Sequence, residues 1–231
     1  MDGRSDEGTT RRRRPGRPRK ADASDTKTIL QHAALRLFAQ KGYAGTSIRA
    51  IAREVGLSES VLYAHFASKQ AIFDAVLAEF GPMGPIDMAG QVDPDLAEID
   101  PPRYLRELVR AFLDEWDRLD ARLLISLMAR DGLLHSPALR EALQAMRVAV
   151  TRLLDGWISA GRIPRNLGSA EDLALLFTGP IGLTRILHLH ADATDHERTT
   201  ARAEILRHVE TFTRAVFQLA ATNHDSSDAA P

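Results

Sequence analysis

Seven of the ten residues from Arg11 to Lys20 are arginine or lysine, and none of the ten is acidic. Such side chains form charge-assisted hydrogen bonds with phosphate, and their binding to nucleic acid weakens as the salt concentration rises. The net charge of −1 hides this segment, because residues 81–231 hold 22 acidic and 16 basic side chains. The sequence therefore predicts that a polyanion binds near the amino terminus. The side chains expected to contact it are Arg14, Arg17, Arg19 and Lys20.

A second group of polar side chains lies in residues 46–66, among apolar residues at helical spacing. Ser47 and Ser58 can each cap the start of a short helix, and Gly56 can adopt the left-handed conformation that ends the first one. Ala52 is small enough to let the two helices cross closely. This order predicts a helix-turn-helix, the motif that places its second helix in the major groove of DNA. The apolar side chains expected to hold it together are Ile48, Ile51, Val55, Leu57, Val61 and Leu62.

A dense set of short motifs occurs between Ile29 and Phe80. These motifs are Ala34-x-x-Leu37-Phe38, Gly42-Tyr43, Thr46-Ser47, Ile51-Ala52, Gly56-Leu57-Ser58 and Leu62-Tyr63-x-His65-Phe66-x-x-Lys69. The pattern resembles the amino-terminal domain of TetR-type regulators. The resemblance implies a homodimer joined through its last two helices and a carboxyl-terminal pocket for a small inducer.

The same resemblance implies which side chains contact DNA. It places the recognition helix at about Ser58 to His65, with the amino termini of both short helices near phosphates. Tyr63 could instead be a core residue, and Lys69 an ordinary solvated lysine. Glu59 would either accept a hydrogen bond from cytosine or stabilise the start of its own helix. The expected backbone contacts are Thr46, Ser47, Arg49, Ser58, Tyr63, His65 and Lys69, and the expected base contacts are Glu59 and Ser60, with Arg49 as a further candidate.

Within the basic segment, Gly16-Arg17-Pro18 is similar to the AT-hook, an extended segment that lies in a narrow minor groove. Pro15 occupies the position at which that pattern has an arginine, so the base-specific part of the resemblance is not carried over. We expect a general basic arm that adds salt-dependent affinity. The alternative is a solubilising tail without a partner.

The remaining residues recur at helical spacing, which predicts an all-α protein of about nine helices, the first at about residues 27–41. Five prolines between Gly81 and Pro102 predict a linker that separates two domains. The expected organisation is a disordered basic arm (1–24), a three-helix helix-turn-helix domain (25–80), the linker (81–102), a helical ligand-binding and dimerisation domain (103–222) and a flexible tail (223–231).

Large apolar side chains in the second domain could line a pocket, although such stripes are more often plain core. The candidates are Phe112, Trp116, Met128, Trp157 and Phe177. Gly179-Pro180 lies inside an apolar helical stretch, where Pro180 removes a backbone hydrogen bond and predicts a kink. With Gly182 nearby, this segment could let two subunits approach closely or shape a pocket wall.

Composition excludes several classes of site. The chain has no cysteine, so it can form neither a disulfide nor a thiolate metal site. His188 and His190 point to different sides of a helix, and neither a metal nor a cofactor is expected. No catalytic or nucleotide-binding motif is found, so we do not expect an enzyme. With no signal peptide and no long apolar span, we expect a cytoplasmic protein without membrane contact.

These features favour a repressor that an inducer releases from a palindromic double-stranded operator. One alternative keeps DNA binding but is independent of a ligand, or activates transcription. A remote alternative is an enzyme on a helical scaffold. A plain small-molecule carrier would leave both the helix-turn-helix and the basic arm unexplained.

Overall fold

The computed structural model describes residues 20–81 and 92–218, with the side chains of residues 25–81 and 92–217. Arg14, Arg17, Arg19 and the tail at 223–231 lie outside the described residues, as does the side chain of Lys20. The described residues form ten α-helices and no strand, which confirms the all-α class.

The amino-terminal helices are α1 (Lys20–Gly45), α2 (Ile48–Glu54), α3 (Glu59–His65) and α4 (Lys69–Phe80). The following helices are α5 (Leu96–Ile99), α6 (Pro101–Trp116), α7 (Leu119–Arg130), α8 (Pro137–Ser159), α9 (Ala170–His188) and α10 (Asp195–Thr213). Short 3₁₀ turns occur at Leu133–His135 and Arg165–Leu167, and a π-helical turn at Arg214–Gln218 follows α10. The tenth helix, relative to the nine expected, is accounted for by the short α5.

Serine side chains cap five of these helices, and two of the five, Ser47 and Ser58, are the caps that the sequence predicts. Each accepts a hydrogen bond from the backbone N–H three residues further on, and at α9 the Asp172 carboxylate completes a capping box. Such a cap stabilises a helix by about 1 kcal/mol. The capping residues are Ser47, Ser58, Ser68, Ser136 and Ser169.

Two helix boundaries differ from the expected ones. Helix α1 begins at Lys20, inside the segment expected to be disordered, and its regular geometry breaks at Gly42, where φ is 80°. Helix α6 begins inside the expected linker, because Asp100 caps it and Pro101 occupies its first turn. Ordered structure therefore extends further than composition indicates.

The described residues form two hydrophobic cores. The amino-terminal core surrounds Phe38 and Phe73, and it also includes Leu124 and Leu127 of α7. The second core is built from α6, α8, α9 and α10 around Phe177. Helix α7 thus packs in the first core although it follows the linker. The core of the amino-terminal helices therefore includes residues beyond position 80.

Candidate nucleic-acid interface and apolar cavity

Helices α2 and α3 form a helix-turn-helix whose turn has the geometry that the sequence predicts. Gly56 has a φ of 70°, a backbone conformation that residues with a Cβ rarely adopt. The Leu57 backbone N–H donates to the Ala52 carbonyl over 2.9 Å and closes the turn. Ile51 and Leu62 are fully buried and fix the two helices on α1 and α4. The position of α3 is therefore set by the amino-terminal core.

The outer face of α3 is exposed. Glu59 and Ser60 lie there, and the side chain of Tyr63 is 52% exposed, so the alternative of a core tyrosine is wrong. Val61, expected to pack inside, is exposed too, because Leu62 and Phe66 form the buried side of the helix. An exposed valine of this kind is able to make apolar contact with a thymine methyl when its helix enters a major groove. Leu62 and Phe66 are four residues apart and therefore share one face of the helix, and this spacing could have shown that Val61 lies outside that buried face.

Arg49 and Glu59 form an ion pair between the starts of α2 and α3, with Nε and Oε1 3.7 Å apart. Both side chains are well exposed, so the pair contributes at most about 1 kcal/mol to stability. The pair matters for the charge of this surface, because Arg49 partly neutralises the Glu59 carboxylate, and an unneutralised carboxylate repels phosphate.

The side chain of Thr46 does not lie at this surface, which corrects its expected contact with DNA. It is only 2% exposed. Its hydroxyl lies 3.1 Å from the Leu37 carbonyl and 2.9 Å from the Gly42 carbonyl. Thr46 therefore fastens the end of α1 to the start of α2, and the neighbouring Ser47 remains exposed as the cap of α2.

Lys69 is not an ordinary solvated lysine. Its Nζ donates to the carbonyls of Tyr43 and Thr46, over 2.8 Å and 3.1 Å, and lies 4.5 Å from the centre of the Tyr43 ring. The ammonium group thus holds the connection between α1 and α2 beside the helix-turn-helix. Its contact with phosphate stays a prediction, as do those of Ser58 and the half-buried His65. The Ser58 hydroxyl caps α3 and lies 2.8 Å from that of Ser60.

An apolar cavity of about 110 Å³ lies in the second core, between α6, α7, α8 and α9. Four of the five residues proposed for a pocket line it, namely Phe112, Trp116, Met128 and Phe177. Trp157 does not, because its Nε1 donates to the Ala97 carbonyl over 2.7 Å and its ring packs on Tyr104 and Phe217. Trp157 anchors α5 and α6 to α8 instead.

Within the part of the chain that the structure describes, no cluster of three or more histidine and acidic side chains could hold a metal ion. The helices described there are all too short or too polar to cross a membrane.

Comparison with known proteins identifies the helix-turn-helix region. Residues 30–76 match the model of the bacterial regulatory proteins of the tetR family. The chain is 33% identical over 93 residues to the uncharacterized HTH-type transcriptional regulator YerO of Bacillus subtilis, covering 40% of this chain and 32% of that protein. It is 37% identical over 107 residues to the HTH-type transcriptional regulator Mb3439c of Mycobacterium bovis, covering 46% and 54%. These relatives are named as regulators rather than enzymes.

The fold as a whole is similar to that of solved regulators. A TetR-family transcriptional regulator from Pectobacterium atrosepticum superposes with a TM-score of 0.57 and 20% identity, covering 87% of this chain and 98% of that one. At this identity the similarity shows the fold alone. The chain spans about a third or less of the length of three regulators that it matches in sequence, between 17% and 32%. The domain that contains α2 and α3 is therefore similar to the helix-turn-helix domain of the tetR family of bacterial regulatory proteins.

Proposed function

We propose that this protein is a cytoplasmic, homodimeric DNA-binding regulator that represses from a palindromic operator and is released by a small-molecule inducer. The observation that carries the proposal is the exposed face of α3, held on buried Leu62 within a TetR-type helix-turn-helix. A dimer would present two such helices to major grooves about 34 Å apart. The proposed DNA contacts are Ser47, Arg49, Ser58, Glu59, Ser60, Val61, Tyr63, His65 and Lys69, together with Arg14, Arg17, Arg19 and Lys20 of the basic arm.

The outer face of α9 supports the dimer. Its large apolar side chains are between 53% and 61% exposed, which is unusual for a helix that needs no partner. These side chains are Leu175, Leu176, Leu183 and Leu187. Gly179 and Pro180 lie among them and are also exposed. Of the residues that the structure describes, apart from the chain neighbours of Gly179 and the adjoining backbone of its own helix, none comes within 4 Å of the position that a Cβ would take there, so a second copy could approach the backbone closely. Gly182 lines the cavity instead, so the two glycines serve different surfaces.

The exposed face of α10 is more polar than that of α9 and includes Glu204 and Arg207. We therefore propose that α9 supplies most of the apolar area of the dimer and that α10 contributes its polar rim. Polar rims around an apolar centre are the usual arrangement in interfaces between subunits.

Helix α7 supplies a route from the cavity to the DNA-binding helices. Ile125 and Met128 line the cavity, and Met128 also belongs to the amino-terminal core. At the end of α7, Arg130 donates from Nη1 to the Ala39 carbonyl over 2.6 Å and from Nη2 to the Phe38 carbonyl over 2.8 Å. A ligand that displaces α7 would therefore displace α1, and with it the spacing of the two recognition helices.

Asp131 reinforces this connection. Its carboxylate accepts hydrogen bonds from the Tyr43 backbone N–H and from Arg130 Nε. Burial raises the pKa of Asp131, but the hydrogen bonds from Arg130 and Tyr43 outweigh it and keep the pKa below its ordinary value. Coupling between ligand and DNA sites typically amounts to about 1–3 kcal/mol, which a connection of this kind can transmit.

The test is a fluorescence anisotropy titration of the purified protein against the DNA that flanks its own gene, with a shuffled duplex for comparison and sedimentation to count subunits. We expect saturable, sequence-dependent binding by one or two dimers. Absence of any preference over the shuffled duplex would reject the regulator.

Tyr63→Ala tests the face itself. Because Tyr63 is half exposed, we expect an unchanged melting temperature and a loss of affinity of about 5- to 30-fold, the equivalent of roughly 1–2 kcal/mol. Ile99→Ala, which also removes an exposed apolar side chain but lies on α5, should bind as the wild type does. If Tyr63→Ala binds the flanking DNA as tightly as the wild type does, the proposal that α3 contacts DNA is wrong.

The apolar cavity favours a ligand-responsive regulator over one whose carboxyl-terminal part only dimerises, because ligand sites are typically concave and mostly apolar. A reporter gene behind the flanking DNA distinguishes repression from activation, since deletion of the regulator raises expression in the first case and lowers it in the second.

A further inference from the structure

The cavity contains a buried guanidinium that forms no ion pair with any of the described residues. Arg185 of α9 lines the cavity and is 3% exposed. Within the described residues, its Nε and Nη2 have no hydrogen-bond partner and no acidic side chain forms an ion pair with it. Burial alone lowers the pKa of Arg185 to about 9, so the guanidinium still carries its charge at neutral pH. A buried charge of this kind is costly unless something pairs with it.

The ring of Trp116 orients this guanidinium. The guanidinium carbon lies 4.3 Å from the centre of the ring. An arginine in contact with an aromatic ring through its flat face keeps its N–H groups, which lie in the guanidinium plane, free to donate. Two parallel N–H groups match the two oxygens of a carboxylate. The contact with Trp116 therefore restrains a group that can bind a carboxylate before any ligand arrives.

The rest of the cavity wall is apolar. Phe112, Ile125 and Met128 are among its lining side chains, and of the described residues that line it only Arg185 is charged. Thr178 also lines it, but its hydroxyl already donates to the Ala174 carbonyl over 2.7 Å. One cation suits a ligand with a single negative charge, and the remaining wall suits a ligand body without polar groups.

The size of the cavity limits that body. A volume of about 110 Å³ is of the same order as an engineered apolar cavity of about 150 Å³ that accepts benzene. Leu143 and Ile186 both line the cavity and are partly exposed, so the opening lies between α8 and α9. A single ring or a short alkyl chain fits inside, with any extension directed towards this opening.

We propose that the cavity binds a small monocarboxylate, with the carboxylate paired to Arg185 and an aryl or short alkyl body against Phe112 and Met128. As the inducer, this ligand would act through α7, and that part of the proposal rests on the proposed function. Binding itself does not rest on it, because it can be measured without DNA.

The experiment is calorimetric titration of the full-length protein at pH 7 with benzoate, phenylacetate and hexanoate, each beside its uncharged amide. We expect at least one acid to bind about 10- to 100-fold more tightly than its amide, the range expected for hydrogen bonds to a charged group. If no acid binds more tightly than its amide, the proposal is overturned.

Arg185→Met is the decisive variant, because methionine keeps the apolar stem of the side chain and removes the charge. We expect it to melt at a higher temperature than the wild type, since a buried unpaired charge is gone, and to lose the preference for acids over amides. Arg165→Met, in the exposed turn before α9, should change neither. An undiminished acid preference in Arg185→Met would refute the assignment. If that variant does not fold, Arg185→Gln keeps a polar side chain without the charge, and an acid preference equal to that of the wild type refutes the assignment.

Addition of the tightest-binding acid to the anisotropy titration separates the two proposals. Release of the flanking DNA supports both. Binding of the acid without release leaves the carboxylate site standing and rejects that acid as inducer, whereas DNA binding without any acid preference leaves the regulator standing and rejects the site.

Discussion

Thr46→Val tests whether Thr46 holds the fold or the DNA. Valine has nearly the same shape as threonine, so the change removes the hydroxyl and leaves no large cavity. The hydroxyl is buried and lies within hydrogen-bond distance of the Leu37 and Gly42 carbonyls. Valine cannot donate to either carbonyl, so one hydrogen bond is lost and the carbonyl oxygens lose a donor. This loss should lower the free energy of unfolding by about 1–2 kcal/mol. For a chain of this size, that loss corresponds to a fall in melting temperature of about 2–8 °C.

The assay pairs thermal unfolding with an anisotropy titration well below the melting temperature. Because the hydroxyl faces inward, the folded variant should bind the flanking DNA within about twofold of the wild type, a change well under 1 kcal/mol. Thr46→Ser keeps the hydroxyl and should recover most of the stability. An unchanged melting temperature with a tenfold or larger loss of DNA affinity, about 1.4 kcal/mol, would show that the hydroxyl contacts DNA and that our reasoning is wrong.

Two further variants test the dimer and the connection between α7 and α1. Leu183→Glu places a charge on the exposed face of α9 and should convert the dimer to a folded monomer in sedimentation, while Leu119→Glu, equally exposed on α7, should remain dimeric; dimers in both would exclude this face. Asp131→Asn should lower the melting temperature at pH 7. The pKa of Asp131 in the folded state lies below its ordinary value, so the stabilisation is present above that ordinary value and is lost as the pH falls through the folded pKa. The melting difference between wild type and Asp131→Asn should therefore shrink below about pH 4, and a constant difference would contradict the assigned carboxylate contacts.

The sequence alone was sufficient for the features that depend on neighbouring residues. A serine cap accepts a hydrogen bond from the backbone N–H three residues further on, so Ser47 and Ser58 could be identified without any knowledge of the fold. The same holds for Gly56, since a left-handed residue between two short apolar helices is a local requirement. Helical periodicity likewise predicted the all-α class and nearly the right number of helices.

Features that depend on distant residues were decided only by the tertiary structure. Arg130 and Phe38, joined by a hydrogen bond, are 92 positions apart, and no pattern in either segment indicates the pairing. The tertiary structure also decides which face of each helix packs against another helix. This packing explains why Thr46 is buried, why Val61 is exposed and why Trp157 does not line the cavity. The unpaired charge of Arg185 has the same origin, because a single arginine near the end of an amphipathic helix resembles any solvated arginine until α6 and its tryptophan are packed against it.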